Sequence, residues 1–180
     1  MYASRHFSFV LISLFFAAPL VAQKQHRQPL TEAQIDQILE AGIDPNQRIG
    51  LYTKFLDDRV ETIKGLIPRG HSNARAHRLD DELQDLTALM DELGSNLDQY
   101  GERKADLRKS LKTLNEDASR WRDVLNSLPT EPGFDLSRTE AIDSVKDLSD
   151  QIGPLFKEQT DYFKLHKDEK GQERAEPKPQ

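Results

Sequence analysis

The chain has 180 residues, 31% of them charged and 36% hydrophobic, with a formal net charge of −6 and no cysteine. That length fits one domain with extensions. The acidic balance excludes general binding to nucleic acid or anionic lipid, both of which need a basic face, and the lack of cysteine excludes disulfides and thiolate metal sites.

Residues 1–22, MYASRHFSFVLISLFFAAPLVA, read as an export signal. Arg5 gives a weakly positive start, an apolar run from Phe7 to Phe16 follows, and small residues lead to a cleavage site after Ala22. Removing Arg5 leaves 24 basic and 31 acidic residues, a net charge of −7. The apolar stretch is shorter than the ~20 residues a spanning helix needs. The expected product is an exported protein of the periplasm or extracellular space, with no membrane insertion after cleavage.

Beyond residue 22 there are 20 Leu and 8 Ile but only 3 Val, a bias toward helix. No strand pattern is visible. Residues 23–29 form a polar lead-in, and 30–166 form the helical domain. Thr31 and Gln34 make a capping box for a first short helix, whose apolar face is Ile35, Ile38 and Leu39 and which Gly42 ends. Asp44, Pro45 and Gln47 start a second helix carrying Ile49, Tyr52, Leu56, Ile63 and Ile67, with Phe55 beside them. Pro68 and Gly70 break it.

The third segment carries a heptad seam: Leu79, Leu83, Leu86, Met90, Leu93, Leu97, Tyr100, Lys104, Leu107, Leu111, Leu114, Ala118, Trp121, Leu125 and Leu128. The steps alternate four and three without a slip. As one helix this segment would be roughly 80 Å long, against about 40 Å for a compact domain of this size. The unbroken phase favours one long central helix flanked by two antiparallel helices. The alternative is a compact four-helix bundle in which the chain turns near Gly94 or Gly101. Both glycines lie beside the seam, where they would let another backbone approach.

After a loop with Pro129, Pro132 and Gly133, Ser137 and Glu140 form a capping box for the last helix, with Leu136 placed as a hydrophobic staple. Its inner face is Val145, Leu148, Ile152, Leu155 and Tyr162, and Gly153 with Pro154 should kink or split it. Residues 167–180 read as a charged disordered tail.

Candidate sites are few. The stretch 65–72, GLIPRGHS, imitates a phosphate-binding loop but has His71 where lysine is required and follows a helix. His77 and Asp81 have metal-ligand spacing, yet two ligands do not make a site, and Asp80, Glu82 and Asp85 around them read as a solvated acidic face. Asp57, Asp58 and Glu61 beside Lys54, Arg59 and Lys64 read as surface pairs. Arg103, Lys104, Arg108, Lys109 and Lys112 are the densest basic stretch, read as a solvated face. The expectation is no catalytic residue, cofactor or metal.

Residues 30–34, LTEAQ, resemble the LTxxQ signature of the small helical periplasmic chaperones of the CpxP/Spy type. That resemblance implies an exported, all-helical stress protein. A second copy of the signature is absent. The leading expectation is a non-enzymatic helical or coiled-coil-like interaction or scaffold protein of the bacterial cell envelope, with a protein partner or self-association. The alternatives are a periplasmic chaperone of LTxxQ type, or a helical bundle that binds a small molecule or metal.

Overall fold

The computed structural model describes residues 28–102 and 105–167. The stretch 1–22 read as an export signal, residues 23–27 of the lead-in, the seam position Lys104 and the residues from 168 onward, read as a tail, lie outside the described residues. What is described is all-helical: α1 (Glu32–Glu40), α2 (Pro45–Leu66), α3 (Asn73–Glu102), α4 (Arg108–Ser127) and α5 (Asp135–Leu165).

Local chemistry fixes the first helix starts. Thr31 Oγ1 accepts from the Gln34 amide, and the Gln34 side chain accepts from the Thr31 amide. Gly42 leaves α1 at φ +60°, a conformation that a side chain would disfavour. Asp44 accepts from the amides of Asn46 and Gln47, with Pro45 at the first position of α2.

The long α2–α5 form a compact four-helix bundle, and the single central rod does not occur. The seam segment ends its first helix at Glu102 and starts a new one at Arg108. Cross-helix bonds give the directions. Tyr52 meets Glu92 and Arg59 meets Glu82, so α2 and α3 are antiparallel. Asn46 meets Ser110 and Asp57 meets Trp121, so α2 and α4 are parallel. Ser137 meets Asp80 and Gln151 meets Asp98, so α3 and α5 are parallel. Arg122 meets Ser149 and Leu107 meets Gln159, so α4 runs against α5. α3 and α4 do not pack on each other and occupy one diagonal of the square, so the turn between them crosses the end of the bundle.

That turn survives because two distant side chains replace its backbone bonds. Gln159, 4% exposed on α5, accepts from the Leu107 amide and donates to the Ala105 carbonyl, both at 2.7 Å. From α2, Asn46 donates to the Asp106 carbonyl at 3.2 Å and accepts from Ser110 at 2.6 Å. Every described seam residue from Leu79 to Leu128 is at most 3% exposed. The described part of the seam is therefore the inner face of two helices, filled by α2 and α5 of the same chain, and offers no surface to a second copy.

The glycines beside the seam admit α5. A Cβ at Gly101 would come within 2.9 Å of Leu155 Cδ1, and one at Gly94 within 3.1 Å of Gln151 Oε1. α5 runs unsplit through Gly153 and Pro154. Its start is also corrected. Phe134, 1% exposed, is the N-cap residue, and its carbonyl accepts from the Arg138 amide. Ser137 lies inside the helix and donates to Asp80 instead of capping, and Leu136 is 73% exposed instead of stapling. The loop sets the helix start three residues early because burial of Phe134 offsets the missing side-chain cap.

Candidate functional site

The heptad period puts a second stripe on α3, one residue beyond the seam: Asp80, Gln84, Thr87, Asp91 and Asp98. α5 docks along it with polar residues of its own at seven-residue intervals. Ser137 donates to Asp80, Ser144 to Asp91 at 2.9 Å, and Gln151 to Asp98 and to the Gly94 carbonyl.

Beside this ladder the outer face of α3 forms the floor of a groove of about 930 Å³. One rim is the first described chain, Gln28 and Pro29. The other is Pro132–Phe134 with Leu136, Ser137 and Glu140 of α5. The floor carries Asp80, Asp91 and Glu92. Neutral donors hold each of them. Asp80 accepts from Gln84 and Ser137, Asp91 from Ser144, and Glu92 from Tyr52 at 2.5 Å. Burial, reinforced by Glu92, pushes the Tyr52 hydroxyl far above its ordinary pKa, so it stays a donor. α3 as a whole carries eight carboxylates against two arginines, −6, equal to the net charge of the entire chain. The groove thus combines oriented carboxylates with apolar walls, an arrangement suited to an extended cationic segment.

The rim at Pro29 is anchored by a cluster that sequence reasoning misread. Glu82 and Asp85 are 6% and 7% exposed, not solvated. Arg59 reaches across from α2 and places Nη1 2.8 Å from Glu82 and 2.9 Å from Asp85, while Nη2 donates to the Pro29 carbonyl at 2.7 Å. Arg78 adds a second bond to Glu82 at 2.9 Å. Asp57 is half-exposed and pairs across to α4 instead of with a neighbouring lysine: it accepts from Trp121 Nε1 at 2.7 Å and pairs with the exposed Arg120. Lys54–Asp58 and Lys64–Glu61 are the exposed pairs expected. The buried clamp could have been suspected from Glu82 and Asp85 flanking the seam residues Leu83 and Leu86, but no local signal pointed to Arg59 as its partner.

The loop at 65–72 is a helix–helix turn closed by Arg75. Its Nε donates to the Leu66 carbonyl at 2.9 Å, and its Nη1 binds Glu131. Arg75, helped by His71, holds the Glu131 carboxyl below the usual carboxylate range. A carboxylate depressed on folding stabilises above its unfolded pKa and loses that contribution as pH falls through its folded one. The difference in urea midpoint between the wild type and Glu131→Gln should therefore be constant at neutral pH and shrink below the usual carboxylate range. A difference independent of pH would show that the pair is not the cause.

His77 is exposed and Asp81 half-buried, and among the described residues no cluster of metal-ligating side chains occurs. Lys109 and Lys112 are exposed, while Arg108 pairs with Asp106 and lies 4.9 Å over the Phe163 ring. Trp121 is core at 1% exposure. Among the described residues no helix is long and apolar enough to cross a membrane.

No protein-family model, curated protein or solved structure matches this chain. The LTxxQ stretch has a local cause in the capping box of α1, with Leu30 buried beneath it.

Proposed function

We propose that this chain is an exported, non-enzymatic helical interaction protein of the bacterial cell envelope, and that it binds a cationic segment of a protein partner in the α3/α5 groove. The observation that carries this reading is the groove itself, in which Asp80, Asp91 and Glu92 bond, among the described residues, to neutral donors beside the apolar Pro29, Pro132 and Leu136. Carboxylates preorganised in this way attract lysine and arginine without first breaking an ion pair. Export rests on the character of residues 1–22.

A labelled Lys/Arg-containing peptide titrated into the purified protein provides the test. Binding should be micromolar at low salt, fall steeply toward 0.5 M salt, and drop about tenfold in Asp91→Asn/Glu92→Gln. A peptide with acidic residues in place of the basic ones should not bind. Equal affinity for the two peptides would sink the reading.

A periplasmic chaperone is the second reading. It draws on α1, which leaves Leu39 and the neighbouring Ile43 70% and 69% exposed as an apolar edge. It requires suppression of client aggregation at near-equal molar ratio, with loss in Leu39→Asp/Ile43→Asp.

A further inference from the structure

The groove lies where the described chain begins. Gln28 and Pro29 form its rim, and Arg59 fixes Pro29 there. The five residues immediately before are Gln23, Lys24, Gln25, His26 and Arg27, with Lys24 and Arg27 cationic at neutral pH. Gln28, to which they are joined, lies beside carboxylates that have no cationic partner among the described residues.

We propose that the resident ligand of the groove is the chain's own basic segment, residues 24–27, which a partner's cationic segment must displace. Displacement by a partner rests on the function proposed above; residency does not. Four residues of extended chain reach roughly 14 Å from Gln28. The floor from Thr87 to Ser95 is only about 12 Å long at helical rise, so Lys24 and Arg27 can address Asp91 and Glu92 together. A tether this short gives an effective concentration on the order of millimolar or above. Contacts too weak to hold a free peptide therefore suffice to hold this one.

Zero-length carbodiimide coupling of the purified protein, followed by peptide mass spectrometry, tests residency. The exposed pairs Lys54–Asp58 at 2.9 Å and Lys146–Asp150 at 3.1 Å serve as internal standards. Lys24 should couple to Asp91 or Glu92, and the product should disappear in Asp91→Asn/Glu92→Gln and weaken in high salt. Lys24→Gln/Arg27→Gln should bind the basic reporter peptide about fivefold more tightly than the wild type. Reaction of the standards without any Lys24 link to the groove overturns the proposal, as does an unchanged reporter affinity in a protein that binds the reporter. Coupling at the groove in a protein that never binds the reporter supports residency and removes only the partner reading.

Discussion

Arg59→Ala is expected to lower stability by about 3–5 kcal/mol, the usual result of removing one member of a buried ion pair. The cost comes from what stays behind. Glu82 and Asp85 remain buried without the guanidinium that bridges them, and the Pro29 carbonyl loses its donor. Arg59→Lys should recover only part of the loss, because one ammonium cannot span three acceptors in the geometry of a planar fork. The triple change Arg59→Met, Glu82→Gln and Asp85→Asn should be far milder than Arg59→Ala, since the buried carboxylates are neutralised together with the arginine. Urea unfolding followed by circular dichroism checks all three. A loss under 1 kcal/mol for Arg59→Ala would mean that water reaches the cluster and that the rim of the groove is not anchored as described.

Gln159→Leu is expected to cost about 2–4 kcal/mol, because it strands a buried donor and a part-buried acceptor at once. Leucine has a similar volume, so little of the effect would come from a cavity. The Leu107 amide and Ala105 carbonyl have the Gln159 side chain as partner, each at 2.7 Å. Hydrogen exchange separates this from general destabilisation. The Leu107 amide should exchange on the order of a hundredfold faster, whereas amides in the middle of α3 follow only the global loss. Unchanged protection at Leu107 would show that Asn46 alone holds the turn.

These two residues also show what could be read from the sequence. Helix identity was legible because leucine spacing is a local signal. Thr31, Asp44 and the seam residues act within a few positions of themselves. The break between α3 and α4 was hidden because Tyr100 and Leu107 are seven residues apart, so a chain reversal fell inside one heptad interval and left the phase intact. Its cause is Gln159, 52 residues beyond Leu107. Glu82 and Asp85 looked solvated for the same reason, since their partner Arg59 stands 23 and 26 positions earlier. The acidic stripe that floors the groove was visible as residues following the seam, but only the rims at Pro29 and Leu136 turn it into a concavity.

The diagonal crossing from α3 to α4 has a kinetic consequence. In a bundle of successive hairpins most contacts join neighbours in sequence, and such chains have low contact order and fold fast. Here α2 pairs with α4 and α3 with α5, through links such as Asn46 to Ser110 and Asp91 to Ser144 that close more than fifty residues of chain. Loop-closure entropy must be spent on both links before either parallel interface contributes. The α2–α3 and α4–α5 hairpins can form locally, and their mutual docking then becomes the slow step, one that Gln159 completes by locking the turn into its final geometry.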